Sequence, residues 1–194
     1  MRKERKERNT NLAQALILAG IEEINTYGAN DFSVRRVAAA CHVSTAAPYK
    51  HFKDKKELIG AIIDYVNEQW AVVQDEVLAQ CNDDPKTQMV EVAVAYTKFL
   101  MEKPYYRQIL MLKNAEFDNL YHRKRGEINS RTQQIMTRVK ETYDISEDVW
   151  TRKALMVRSL LFGSVFMFDS GEFTYNETSL EHIRYLIKRE FELL

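Results

Sequence analysis

The sequence predicts an all-α protein. Apolar residues recur at three- and four-residue spacing along nearly the whole chain, and no segment alternates convincingly between apolar and polar residues. Only 6 glycines and 3 prolines occur in 194 residues, too few to punctuate a many-stranded β protein. The length is enough to bury a sizeable core in one large domain or two small ones.

The first predicted helix ends at Gly28. Apolar residues recur helically up to that point, and a glycine there can take the left-handed backbone that commonly ends a helix. After a turn over 29–32, Ser33 can cap a short helix over 34–41, because a serine hydroxyl accepts a hydrogen bond from a free N–H of the first turn.

A second short helix and one long helix follow. Ser44 is placed to cap a helix that runs to about His51. Asp54 is placed to cap the following helix, which begins at Lys55. The apolar stripe of the later helix continues through Val77. We therefore expect one long helix that joins two halves of the molecule.

Each helix of the second half has its own start signal. Asp84 followed by Pro85 is a cap with proline at the first helical position. Ser146 precedes an unusually apolar segment, and residues 178–181 fit a capping box. The predicted helices cover 86–101, 105–112, 117–143 and 149–169. A further, final helix follows the capping box and carries on one face Leu180, Ile183, Ile187, Phe191 and Leu194.

The charge is balanced in total but not along the chain. The 28 basic and 28 acidic residues cancel, which excludes a coat protein that is basic throughout. Residues 1–60 hold 11 basic and 7 acidic residues, a net of +4, and residues 61–194 hold the other 17 and 21, a net of −4. The contrast favours a polyanionic partner for the N-terminal third, with a solvated charged face as the alternative.

Composition also predicts the compartment. Two cysteines, Cys41 and Cys81, make no disulfide framework and are typical of a reducing environment. The N-terminus lacks the apolar region of a signal peptide, and no uncharged apolar run reaches the ~18 residues that span a bilayer. We expect a cytoplasmic protein without a membrane partner.

Two short helices joined by a tight turn have the size of a helix-turn-helix. The N-terminus of each helix presents free N–H groups and a positive dipole end, which attract phosphate oxygens. The second helix begins with the small residues Thr45 and Ala46, which allow a close approach to base edges. Without the surrounding sequence pattern, such a pair of helices is more often a plain scaffold.

The residues of this segment resemble a known family. The stretch FSVRRVAAACHVSTAAPYKHFKDKKEL, from Phe32 to Leu58, is similar to the DNA-binding signature of TetR-family bacterial repressors. The resemblance covers about residues 10–60. It implies an N-terminal three-helix DNA-binding domain over 1–55 and a helical ligand-binding and dimerisation domain over 56–194.

The resemblance also implies roles for individual residues. Cys41 and His42 stand where the family usually has Ala-Gly, and the glycine there commonly takes a left-handed backbone, which histidine tolerates at some cost. The residues expected at DNA are Ser33, Arg35, Arg36, Ser44, Thr45, Ala46, Tyr49, Lys50, His51 and Lys55.

The C-terminal part is expected to form a dimer and a pocket. The apolar helix over 149–169 has too many apolar groups for one buried stripe, and a homodimer supplies the second half-site that a short recognition helix needs. The expected interface contains Met156, Leu160, Gly163, Met167, Ile183 and Ile187. The resemblance implies a small-molecule effector, for which the candidate pocket residues are Trp70, Tyr96, Phe99, Tyr106, Leu110, Phe117, Tyr121, Phe162 and Phe166.

Enzyme chemistry has no signature in the sequence. There is no phosphate-cradling glycine loop, no nucleophile elbow and no helix with two histidines at ligand spacing, so we expect neither a metal nor another cofactor. The sequence therefore predicts a transcriptional regulator, most simply a repressor, that binds a palindromic DNA duplex. The alternative is a ligand-binding or adaptor protein of the same fold that does not recognise an operator.

Overall fold

The computed structural model describes residues 2–110 and 130–192, with side chains at 11–109 and 131–192. These residues form eight α-helices and one 3₁₀ turn, and no strand occurs among them. The predicted all-α class is confirmed. The elements are α1 (Arg2–Tyr27), α2 (Val34–Ala40), the 3₁₀ turn (Pro48–Lys50), α3 (Lys55–Gln80), α4 (Pro85–Glu102), α5 (Pro104–Leu110), α6 (Ser130–Thr142), α7 (Glu147–Asp169) and α8 (Glu177–Glu192).

The chain forms two compact units. One consists of Met1–Glu68 with Tyr105–Gly126, and the other of Gln69–Pro104 with Glu127–Leu194. The division lies inside α3, which contributes to both units. The domain boundary that the sequence predicts after residue 55 lies at the start of α3, before the point at which the two units divide, after Glu68.

Four helices begin where a cap was predicted. Ser33, Asp84 and Ser146 each precede a helix and accept the backbone N–H of the residue three positions later. Asp54 does the same for α3, with Glu57 N–H 2.9 Å from its Oδ1. Because these contacts are local, a single residue fixes each helix start.

The start of α8 differs from the predicted capping box. Asn176 Oδ1 accepts the Ser179 N–H at 2.9 Å, and the Asn176 carbonyl accepts the Leu180 N–H. The Ser179 hydroxyl donates to the Thr174 carbonyl instead. Asparagine is a strong cap, and its position just before Glu177 places the start of the helix ahead of the Thr178 that the sequence pattern indicated.

The first unit is packed closely around α3. Leu16, Phe32 and Ile62 are buried, and Gly20 of α1 faces the Ile62 side chain. A Cβ at Gly20 would lie 2.5 Å from Ile62 Cδ1, closer than carbon atoms can approach. The absence of a side chain at residue 20 therefore permits this contact between α1 and α3.

Helix α4 is the centre of the second unit and packs against α6, α7 and α8. Polar contacts fix the register of these helices. The Arg184 guanidinium of α8 donates two hydrogen bonds to Glu91 of α4, at 2.9 and 3.0 Å. The buried Lys153 of α7 donates to the Glu190 carbonyl of α8 and forms an ion pair with its carboxylate at 3.1 Å.

The helices predicted over 105–112 and 117–143 are described in part. Helix α5 covers Pro104–Leu110, and α6 covers Ser130–Thr142. The rest of the two predicted helices, residues 111–112 and 117–129, lies outside the described residues.

Asp84 provides a test of the capping interactions. Its carboxylate accepts hydrogen bonds from the Thr87 hydroxyl, the Thr87 N–H and the Tyr143 hydroxyl, and the first of these contributes most to lowering its pKa to about 2. We expect Asp84→Ala to lower the free energy of unfolding at pH 7 by about 1 kcal/mol. Asp84→Asn should lower the free energy of unfolding by less, because the amide oxygen of asparagine still caps the helix.

The pH dependence has a definite sign. The folded pKa of Asp84 lies below its unfolded value of about 3.9, so the unfolded chain takes up the proton first. Stability is fully present above about pH 4 and falls as the pH drops toward 2. In acid denaturation followed by circular dichroism, the stability difference between wild type and Asp84→Asn should shrink over this range; a constant difference would contradict the assignment.

Candidate nucleic-acid interface

Helix α2 has one face in the core and one in solvent. Val34, Val37 and Ala38 are buried, whereas Arg35 and Arg36 are exposed. Ser33, the N-cap, is half-buried and its hydroxyl accepts the Arg36 N–H. This arrangement places the positive end of the α2 dipole and the Arg35 side chain at the surface.

The turn after α2 requires a left-handed residue. The Val43 N–H donates to the Ala38 carbonyl and the His42 N–H to the Ala39 carbonyl, both at 3.0 Å. This pair of bonds is a Schellman motif, in which the residue after the C-cap has positive φ. His42 has φ +56°. The left-handed backbone expected at this position is confirmed.

The second short helix was predicted over residues 44–51, and that prediction is wrong in type. Residues 45–46 form a turn, and Pro48–Lys50 form a 3₁₀ turn that Ala47 precedes without a side-chain cap. The Ala47 N–H donates to the Ser44 carbonyl, three residues back. Pro48 has no N–H to continue an α-helical ladder, so the bonds along this segment close mainly over three residues.

The 3₁₀ turn still presents side chains outward. Pro48 and Phe52 are buried and anchor it. Tyr49 is 56% exposed and Lys50 is also exposed. The turn thereby holds an aromatic hydroxyl and an ammonium group on the outside of the first unit.

The other residues expected at DNA are exposed or half-buried. Lys55 is half-buried at the first turn of α3, with its Nζ 6.0 Å from the centre of the Phe32 ring. In the turn before the 3₁₀ turn, the side chains of Ser44, Thr45 and Ala46 are exposed. His51, directly after the 3₁₀ turn, is half-buried.

Arg36 has intramolecular partners that the sequence reasoning missed. Its Nε donates to the Glu23 carboxylate at 2.7 Å, and its guanidinium also donates to the Asp31 carbonyl. The hydrogen bond to Glu23 is the main cause of a raised Arg36 pKa. A signal for Glu23 was present, because it follows Leu16 by seven residues and so lies on the buried face of α1.

The sequence of this segment matches a described family. Residues 16–62 match bacterial regulatory proteins of the tetR family. We call residues 16–62, which carry this match, the TetR segment. The resemblance on the Phe32–Leu58 motif is thereby confirmed, and the matched range includes α2, the 3₁₀ turn and the first turns of α3.

Solved structures share the fold over the full chain. A TetR family transcription regulator from Marinobacter aquaeolei VT8 is 16% identical, with 98% of each chain covered and a TM-score of 0.71. FadR from Bacillus subtilis, in complex with stearoyl-CoA, is 15% identical over 93% of this chain and 96% of that chain, with a TM-score of 0.68. The multidrug binding protein EbrR, complexed with ethidium, is 17% identical over 91% and 96%, with a TM-score of 0.63. No curated protein matches the sequence.

Outside the TetR segment, the expected dimer residues divide into two groups. Met156 is exposed, and Leu160, Gly163 and Met167 are half-buried on α7. Ile183 and Ile187 are buried within the chain, so they have no surface to offer a partner. Helix α8 packs that side against its own unit. Its exposed apolar side chains are Tyr185 and Leu186 instead, and those of α7 are Leu155, Met156 and Phe166.

The expected pocket residues that the structure describes lie in both compact units. Trp70 packs edge-on against Tyr96, with ring centres 4.9 Å apart, and against Phe99 at 5.4 Å. In the other unit, the half-buried Tyr106 meets Tyr65 at 6.4 Å. Phe162 is half-buried, whereas Phe166 is 68% exposed. Phe117, Tyr121 and the Leu110 side chain lie outside the described residues.

Neither a metal-binding cluster nor a membrane-spanning helix occurs in the described part of the chain. The side chains of residues 11–109 and 131–192 contain no group of three or more His, Cys, Asp or Glu that could hold a metal ion. None of the helices in these ranges combines the length and the apolar character needed to cross a membrane.

The left-handed turn of the TetR segment gives a stability prediction. We expect His42→Gly to raise the free energy of unfolding by up to about 1 kcal/mol, because glycine adopts positive φ without the steric cost of a Cβ. Ala40→Gly, at the end of α2 two residues earlier, is the matched control and should lower the same quantity by up to about 1 kcal/mol. Urea denaturation measures both; a loss of stability in both variants would contradict the strain at residue 42.

Proposed function

We propose that the protein is a transcriptional repressor that binds a palindromic DNA operator as a homodimer and responds to a small molecule. The observation that carries this proposal is the surface of the TetR segment, where the N-terminus of α2, the turn at 44–46 and the 3₁₀ turn display their polar side chains together. Sequence and surface therefore support the same function.

The chemistry of this surface fits a DNA duplex. Cationic and hydroxyl groups, here on Arg35, Tyr49 and Lys50, bind phosphate oxygens and fix the register of a protein on DNA. Small side chains at Thr45 and Ala46 leave room for the backbone to approach base edges. No catalytic step is needed, and the solved structures that share the fold include transcription regulators.

The dimer is supported by the apolar surface of the second unit. Leu155, at 67% exposed, and Phe166 lie on one stripe of α7, eleven residues or three turns apart. Exposed apolar side chains concentrated on adjoining elements mark an interaction surface. A second copy of the chain is the occupant we propose, because two recognition surfaces related by a two-fold axis match a palindromic operator.

The effector is supported by the ligands of proteins with the same fold. FadR was solved with stearoyl-CoA and EbrR with ethidium, an acyl thioester and a planar aromatic cation. A ligand regulates DNA binding only if its affinity differs between two conformations of the protein. The aromatic cluster of Trp70, Tyr96 and Phe99 is the part of the described chain best suited to line such a site.

DNA binding is tested with a duplex selected from fragments of the source genome by the wild-type protein. Lys50→Ala and Tyr49→Ala should each weaken binding of that duplex at ~100 mM salt, and Lys50→Ala should reduce the slope of log K against log salt by about 0.9, the value for one phosphate contact. Lys188→Ala removes an exposed charge from α8 and should change neither quantity.

The same measurement distinguishes the proposed repressor from the alternative, an adaptor protein that does not recognise an operator. A wild-type protein that binds no duplex more tightly than random DNA would favour the adaptor alternative. Fluorescence anisotropy of a labelled duplex gives both the affinity and the slope.

The dimer is tested by a charge on its proposed face. We expect Phe166→Asp to convert the dimer into a monomer in sedimentation equilibrium, because an aspartate buried at an interface loses its hydration without gaining a partner. Val72→Asp, which also replaces an exposed apolar side chain, but on α3, should remain dimeric. An unchanged mass for Phe166→Asp would exclude this face.

A further inference from the structure

A buried carboxylate joins the end of α1 to the beginning of α2. Glu23 is only 6% exposed, and its Oε1 accepts the Ser33 N–H at 3.0 Å and the Arg36 Nε–H at 2.7 Å. A carboxylate at such a position needs hydrogen bonds to offset its lost hydration, and both donors come from the first turn of α2. The contact therefore fixes the N-cap residue and the first helical turn together.

The partner of this carboxylate is held from several sides. The Arg36 guanidinium donates to the Asp31 carbonyl in the loop between the two helices. Its Cζ lies 4.2 Å from the centre of the Tyr27 ring, at the end of α1. We name the set Glu23, Tyr27, Asp31, Ser33 and Arg36 the α1–α2 clamp. With this geometry the Arg36 side chain is committed to the protein, in contrast to its neighbour Arg35.

The clamp acts on the DNA-facing surface through the backbone. It fixes the beginning of α2, and the Schellman turn ties the end of α2 to the segment that leads into the 3₁₀ turn. Arg35, the turn at 44–46 and Tyr49 thus share one rigid support. A change in the direction of α2 would move all of them relative to a DNA groove.

We propose that Glu23 is a positioning residue for operator binding, and that Arg36 serves the clamp and does not contact a phosphate. The inference rests on the proposed function. Glu23 touches no DNA in this scheme. It acts through Ser33 and Arg36, by holding α2 in the direction that the operator requires.

Charge and positioning predict opposite signs for the same substitution. Glu23→Gln removes a negative charge from a surface that binds a polyanion, so electrostatics alone would tighten DNA binding. Loss of the clamp would weaken it, because the amide of glutamine replaces charge-assisted hydrogen bonds by weaker ones. The direction of the change therefore distinguishes the two effects.

The chain supplies matched controls for both members of the pair. Glu22→Gln removes the same negative charge as Glu23→Gln, but from the preceding residue of α1, whose side chain is exposed. Arg35→Gln and Arg36→Gln remove the same charge from adjacent residues of α2. Only Arg35→Gln should lower the salt slope by about 0.9, because only Arg35 is assigned to a phosphate.

The experiment measures binding of two duplexes by fluorescence anisotropy at 20 °C: the duplex that the wild type selects, and a random duplex of equal length. Thermal melts first establish that every variant is folded at that temperature. We expect Glu23→Gln to bind the selected duplex roughly tenfold more weakly than Glu22→Gln, the size expected for a weakened charged hydrogen bond, while the two variants bind the random duplex equally. The double variant Glu23→Gln/Arg36→Gln should be no weaker than the weaker single variant, because both substitutions break one clamp.

Three results would overturn the inference. Equal affinities of Glu23→Gln and Glu22→Gln for the selected duplex would remove the positioning role, and a reduced salt slope in Arg36→Gln would return Arg36 to the phosphates. In both cases the wild type still binds its selected duplex, and the proposed function stands. A wild type that selects no duplex defeats the proposed function itself, and the positioning role with it.

Discussion

The burial of one face of α2 is the constraint on which the recognition surface depends. Val37 and Ala38 are fully buried, so the helix has a fixed rotation about its own axis and Arg35 must point outward. Helix α2 packs against α1, which also approaches α3 closely at Gly20 and Ile62. A short helix is not stable by itself in water. Its direction is therefore a property of this packing and of the contacts at its two ends.

Local contacts explain why much of the fold could be predicted from the sequence. A cap such as Ser33, Asp84 or Ser146 acts over three residues, and nothing distant is needed to recognise it. The left-handed residue at His42 was expected from the resemblance, because the family usually has a glycine at this position. The prediction of a second short α-helix was wrong because Pro48 lacks the N–H that an α-helical hydrogen-bond ladder needs.

The remaining features of the candidate site depend on residues far apart in the chain. Glu23 and Arg36 are 13 residues apart, and neither spacing nor charge identifies them as partners before the α1–α2 loop is folded. The apolar stripes of α7 and α8 are a second case. Periodicity shows that α8 has an apolar face, but both a core and a partner subunit can bury such a face. Only the packing of Ile183 and Ile187 inside the chain shows that this stripe is core.

The net charge of zero has a different meaning once these contacts are known. Among the six basic residues between Ser33 and Lys56, Arg36 is neutralised by Glu23, so a single recognition surface has few cations for phosphates. Each phosphate contact contributes only modestly to binding at physiological salt. A single surface would therefore bind weakly and with little preference. Two copies held by a dimer double the number of contacts and require a fixed spacing between half-sites, which makes the apolar surface of the second unit a condition for the proposed DNA binding.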